Sequence, residues 1–364
     1  MKRVILLVVA VAAIMFTSCK KEYTITVQSN NESWGSVVGS GTYAKGTVIS
    51  IGAISNNGYK FVKWQDDNTD NPRSITVEKN ATYTAVFVEE GGGGGGELIS
   101  TGIFSVSETQ KVNFSPGNLQ WSTTGSHAVA GGEIVAGTWR FAPNQWDVIA
   151  ADNRHISSTY TGWIDLFGWA TSGYDNKYPY MTSTIETDYG NGKSDISNTN
   201  YDWGVYNTIY NPKTNTLDVP GTWRTLTKDE WTYLLKTRAT PSGIRYAKAT
   251  VNGVQGLIIV PDNWSSSIYT LDSANYYNAT FESNLVNTTH WANMEAAGCV
   301  FLPAAGYRQK TSVYNVTLVG NYWSSTSYGS DYACILRINL DDLEPAGHYY
   351  RSNGISVRLV KEVE

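Results

Sequence analysis

Few side chains in this sequence are of the types that do chemistry, and each type needs particular neighbours. Cys299 and Cys334 are the cysteines downstream of Cys19. A thiol becomes a nucleophile only as its thiolate, which a nearby cation stabilises. Neither cysteine has a His, Lys or Arg next to it, and the two stand far apart in the chain. Both lie in apolar runs, GCVFLP and YACILRI. An oxidising compartment could pair them, and packing as small buried hydrophobes fits equally well. Asp341, Asp342 and Glu344 could gather a hard cation through their oxygens, although a solvated acidic hairpin is the simpler account. The four histidines, His127, His155, His290 and His348, fall in no H-x-x-x-H or H-E-x-x-H spacing. A G-x-S-x-G elbow and a phosphate-binding glycine loop are both missing. Acid pairs for glycoside hydrolysis need not be close in sequence, and nothing singles one out.

Aromatic residues are the remaining candidates. The chain has 24 Tyr and 13 Trp, and a ring with a polar tip suits stacking on amphipathic ligands. Tyr174, Tyr178, Tyr180, Tyr189, Tyr201 and Trp203 lie in a Tyr-, Asn- and Gly-rich stretch that reads as a long loop region. Loops carry function more often than core elements do, so these six are the expected ligand-contacting residues. Trp163, Trp169, Trp223, Trp231 and Trp323 are expected in the core.

Regular elements must hold those loops. In PGTWRTLTKDEWTYLLKTR, Pro220 and Gly221 turn the chain, and Thr227 and Glu230 have capping-box spacing. Trp231, Leu234 and Leu235 give the helix that follows one apolar face. A second helix is expected at TTHWANMEAAG, capped by Thr288 or Thr289, lined by Trp291, Met294 and Ala297, and ended by Gly298. GIFSVSETQKVNFSPGNLQW reads as two strands about a turn at Ser115–Asn118. Further strands are expected at IRYAKATVN, GLIIVPD, CVFLPAAGYR, YACILRINL and ISVRLVK. Two helices among many strands is an α+β pattern.

The N-terminal residues make a separate statement. Lys2 and Arg3 precede an apolar run, Val4 to Phe16, then Thr17, Ser18 and Cys19. The run is of signal-peptide length, about 7–15 residues, and shorter than the roughly 20 that a spanning helix needs. Cys19 after small residues looks like the lipidated cysteine of a bacterial lipoprotein, with residues 1–18 as its signal peptide and acyl chains as the membrane contact. The Lys20-Lys21-Glu22 run resembles those that accompany surface export in Bacteroides-type bacteria, so a surface-exposed outer-membrane lipoprotein is expected. A net charge of −5 without a basic block makes nucleic acid an unsuitable partner.

Gly91 to Gly96 form an unbroken glycine run. No packed element tolerates such freedom, so residues 91–97 read as a flexible linker, its ends wandering by roughly 13 Å. Before it, residues 19–90 alternate apolar and polar positions between turns, as a small, mainly β module would. Gly35, Gly39, Gly41, Tyr43, Gly46, Tyr59, Phe61, Trp64, Tyr83 and Phe87 fall as in the divergent internalin-type B-repeat of bacterial surface proteins, which this segment resembles. That resemblance implies a spacer or adhesive unit.

After the linker, residues 98–364 carry W-R-T-L-T-x-x-E-W-x-Y-L-L at Trp223–Leu235 and V-F-L-P-A-A-G-Y-R at Val300–Arg308. G-x-Y-W-S-S-T follows at Gly320–Thr326 and R-x-x-G-x-S-V-R at Arg351–Arg358. Together they resemble the Fibrobacter succinogenes major paralogous domain. The resemblance implies a C-type-lectin-like α+β fold related to formylglycine-generating enzymes. Oxidation in those enzymes uses a close cysteine pair, which Cys299 and Cys334 do not form in sequence. Calcium-dependent sugar binding in that fold uses E-P-N or Q-P-D with W-N-D, and only Glu344-Pro345-Ala346 comes near. The expectation is therefore a non-catalytic surface protein without a cofactor, binding a glycan or a host or cell-surface protein. A structural, fimbria-associated spacer is the alternative, and a formylglycine-type oxidase a remoter one. Asp272-Ser273-Ala274 resembles the short O-glycosylation acceptor of Bacteroides-type bacteria, which would place a glycan on Ser273.

Overall fold

A computed structural model describes residues 21–56, 59–66, 68–89, 102–128, 134–136 and 138–363. The expected signal peptide, Cys19 and the six-glycine run lie outside the described residues. The chain divides into two compact units between Glu97 and Leu98. Strand far outweighs helix, so the protein is mainly β.

The first unit packs two small sheets around one core. One sheet runs Gly41–Ala44, Glu22–Ser29, Ala81–Glu89, Tyr59–Trp64, and the other Gly35–Val38, Val48–Ser55, Arg73–Thr76. Glu22–Ser29 and Ala81–Glu89, near the two ends of the unit, pair in parallel. Alternation sends Ile25, Val27, Ile51, Trp64, Ile75, Ala85 and Phe87 inward.

The second unit is built from several short sheets and long connections. Its two ends meet: Leu359–Glu362 pairs with Lys111–Phe114 on one side and with Arg224–Thr225 on the other. A second sheet orders Leu285–Val286, Tyr246–Val251, Val254–Ile259 and Val300–Pro303. A third is an antiparallel meander of Gly320–Tyr328, Tyr332–Ile338 and Leu343–Tyr350. Trp231, Leu234 and Leu235 pack with Phe104, Phe114, Leu257, Tyr322 and Leu336 in one core, while Trp139, Trp169, Trp203, Trp223 and Trp323 fill another.

The capping box forms: Thr227 Oγ1 accepts from Glu230 N at 3.1 Å, and Thr227 N donates to Glu230 Oε2 at 2.7 Å. The helix it starts, Lys228–Thr232, then widens into a π turn over Tyr233–Thr237. The second helix spans Thr288–Ala296, but its cap differs from the expected Thr288 or Thr289. Asn287 is the cap, accepting from His290 N at 2.8 Å, because its extended backbone lets the amide oxygen fold back over the first turn.

Two strands of the meander carry weak sequence signals. Gly320–Tyr328 is rich in Ser and Thr, and Leu343–Tyr350 contains both Pro345 and Gly347. The register shifts between Ile335 and Arg337, opposite Pro345, so the missing N–H falls at a bulge. Of ISVRLVK, only the end is a ladder strand. Ile355 and Ser356 are instead held by single bridges to Phe167 and Tyr322.

Candidate binding surface

The aromatic-rich stretch divides into surface and core. Tyr174 and Tyr178 are exposed, and Tyr180 and Tyr201 half-buried. The Tyr174 ring meets Tyr201 edge-on at 5.1 Å and Tyr206 at 5.4 Å. Tyr178 stacks on Tyr180 at 5.1 Å, and Tyr180 rests on Trp121 at 5.6 Å. Tyr201 donates its hydroxyl to Asp175 Oδ2 at 2.9 Å. Left-handed backbone at Asp175 (φ 50°) and Asn176 (φ 58°) makes the tight turn between Tyr174 and Tyr178. Tyr206, exposed beside Tyr174 in the same Tyr-rich stretch, belongs to this cluster although it is not among the six expected residues.

Tyr189 and Trp203 are not ligand-contacting residues, contrary to expectation. Both are fully buried. Tyr189 donates to Ser183 O at 2.9 Å, and burial pushes its hydroxyl up to about 12. Its ring lies so close to Gly168 that a Cβ there would collide with it. Trp203 is drawn inward because Asp202 caps its short helix and is itself tied to Thr225 N at 2.9 Å.

Trp169, Trp223, Trp231 and Trp323 are core residues, as their contexts suggest. Trp163 is not. It is half-buried at the start of the buried segment, with the Arg140 guanidinium 3.7 Å above its ring. A cation covering one face lets an indole sit at the surface.

Cys299 and Cys334 are separate, buried free thiols. Burial pushes both above the ordinary thiol range, Cys299 well above it. That is the opposite of what a thiolate nucleophile requires. Glu344 is spent on Arg337, 3.0 Å away, and Asp341 is exposed. No group of three or more His, Cys, Asp or Glu able to hold a metal is present among the described residues. His127 stacks on Tyr210 at 3.9 Å, His155 accepts from Arg154, His290 lies 5.4 Å from Tyr269, and His348 stacks on Tyr328. Ser273 is exposed on a turn with φ 50°, so its hydroxyl is accessible.

The motif arginines have a structural task. Arg351 lies 4.4 Å over Trp169 and donates to Gly192 O (2.6 Å), Gly329 O (2.8 Å), Tyr332 O (3.1 Å) and Ser327 Oγ (2.7 Å). Arg308 donates to the carbonyls of Leu166, Met181 and Lys310. Arg358 donates to Gln145 Oε1 at 2.6 Å and Asn118 Oδ1 at 3.4 Å. All three are fully buried, and burial lowers Arg308 and Arg358 to about 10, so they stay charged at neutral pH. A guanidinium carries five donors in a fixed fork, which suits it to collecting carbonyls from separate loops.

Two open cavities mark the surface of this unit. One, of ≈ 560 Å³, surrounds Arg224, which bridges Glu230 (2.6 Å) and Glu362 (2.7 Å), so these three charges satisfy one another. The other, of ≈ 400 Å³, is lined by serines, threonines and amides and rimmed by Tyr314 and Tyr350. Tyr350, with Tyr328, Tyr332 and His348, forms a second surface aromatic group. Its members are scattered in sequence, and only strand pairing gathers them.

A family model for the divergent InlB B-repeat domain matches residues 24–91, in agreement with the resemblance carried by the Gly, Tyr and Trp positions of that segment. No curated protein and no solved structure matches the chain.

Proposed function

We propose that this chain is a surface-displayed lipoprotein with a non-catalytic binding or adhesion role. In this reading Cys19 carries the acyl chains, and the B-repeat unit acts as a β spacer. The glycine run then lets the second unit, which resembles the Fibrobacter succinogenes major paralogous domain and its C-type-lectin-like fold, reach a glycan or a cell-surface protein. The carrying observation is the B-repeat match, a type of module that suggests a surface or adhesion protein, immediately before the six-glycine run. Buried, protonated cysteines count against the oxidase alternative.

Protease treatment of intact cells that express the protein is the test. Release of fragments of the second unit, while a periplasmic control stays intact, is the expected result. Full protection of the second unit would remove surface display. Cross-linking to assembly partners without any soluble ligand would instead favour a fimbria-associated spacer.

A further inference from the structure

We propose that the cavity between Tyr314 and Tyr350, with the aromatic row beside it, is a binding site for a neutral glycan chain. This rests on the binding reading above and names its ligand class and its location. Tyr328, Tyr332 and Tyr350 lie directly opposite one another across the three strands of the meander, so their rings form one row over its outer face. His348, two residues before Tyr350, projects from the same face. Ring centroids are 4.5 Å apart for Tyr350 and Tyr332, 5.4 Å for Tyr332 and His348, and 4.4 Å for His348 and Tyr328. The row faces solvent: Tyr328 is 53% exposed and Tyr350 47%. A contiguous aromatic surface of this kind marks an interaction site.

At the Tyr350 end the row opens into the ≈ 400 Å³ cavity, a volume within the range of small-ligand sites. Tyr314, 43% exposed, forms its other rim and is backed by Tyr307 at 5.5 Å. The wall between the rims offers Ser183, Thr184, Gln309, Ser312, Ser352 and Asn353. Asn353 is only 4% exposed, and its buried Nδ2 has no hydrogen-bond partner among the described residues. Such a donor calls for an acceptor. Both Glu186 carboxylate oxygens accept from Ser352, from its N at 2.8 Å and its Oγ at 2.7 Å, so the acid is fixed in place.

Hydroxyls, amides and exposed ring faces are what a pyranose uses: its C–H face stacks on aromatic rings and its hydroxyls exchange hydrogen bonds with short polar side chains. Glu186 and Lys310 are the charges in the wall, one of each sign. That balance gives neither an acidic nor a basic chain a net attraction and so favours an uncharged one. The row would extend contact to further sugar units beyond the one in the cavity.

The test is full-length protein on an array of neutral β-glucan, xylan, mannan and N-acetylglucosamine oligomers beside uronic-acid and sialylated ones. Binding to at least one neutral series is expected, weakened by about tenfold or more in Tyr350→Ala and in Tyr314→Ala. Tyr350→Phe, which keeps the ring, should retain most of it, and Tyr276→Ala, at an exposed tyrosine outside both aromatic groups, should leave it unchanged. Near-UV circular dichroism and an unchanged Tm certify that the alanine variants are folded. Binding confined to acidic glycans, or binding that Tyr350→Ala leaves intact, overturns the proposal. Loss in Tyr174→Ala with Tyr350→Ala silent overturns this site and keeps the binding reading. Absence of any array binding, with protease release from cells intact, overturns the glycan assignment while surface display stands.

Discussion

At the scale of single residues, the arginines of the C-terminal motif hold the fold together. Arg351-x-x-Gly-x-Ser-Val-Arg358 is recognisable in the sequence, and its arginines point inward, Arg351 to backbone carbonyls and Arg358 to the side-chain oxygens of Gln145 and Asn118. Replacing Arg351 by Ala strands the carbonyls of Gly192, Gly329 and Tyr332 and uncovers Trp169. Urea unfolding followed by tryptophan fluorescence should then show a loss of about 3 kcal/mol or more. Arg351→Lys should recover less than half of it, because one ammonium cannot span acceptors from several loops. The sequence marks these arginines as special but not as buried, since burial depends on acceptors that other loops supply, Gly192 for Arg351 and Asn118 and Gln145 for Arg358 lying far back in the chain. Trp203 and Tyr189 illustrate the same limit. Their polar, loop-like surroundings suggest exposure, and only the packed structure turns them inward.

Elements were legible where their signals are local. The Thr227–Glu230 box needs four residues and forms as read. At the Thr288–Ala296 helix three adjacent side chains, Asn287, Thr288 and Thr289, could all cap, and spacing alone does not decide among them. Asn287→Ala should cost about 1 kcal/mol, whereas Thr288→Ala should cost well under half of that. Thermal unfolding of the two variants side by side would separate them, and equal losses would contradict the observed cap. The Leu343–Tyr350 strand was hidden because a proline and a glycine argue against it, and a bulge is what accommodates them. The aromatic row was hidden for a related reason: Tyr328, Tyr332 and Tyr350 become neighbours only through cross-strand register.

For the whole molecule, the B-repeat segment was the most legible part, because its glycines and aromatics recur at fixed places. The second unit carries two buried carboxyls with no sequence signal. Asp165 accepts from Ile149 N (2.9 Å) and Asn153 Nδ2 (2.8 Å), and Asp202 from Thr225 and Gly204. Burial outweighs these hydrogen bonds and pushes each carboxyl from 3.8 up to about 6. Each therefore keeps its proton to higher pH in the folded state than in the unfolded chain. Between those values the fold binds more protons, so stability falls as pH rises, by roughly 3 kcal/mol per group across the window. Tm measured from pH 4 to pH 7 should decline through this interval, and Asp165→Asn should make the decline shallower. A Tm that rises over the same range would contradict this account.

The three buried motif arginines also bear on how the loops of the second unit respond to ionic strength. Among the described residues no ion pair with a carboxylate is found for any of them, and they hold loops through neutral oxygens instead. Mobile ions screen attraction between opposite charges and have little purchase on a buried cation held by carbonyl dipoles. The loops that these arginines gather are thus insulated from swings in ionic strength.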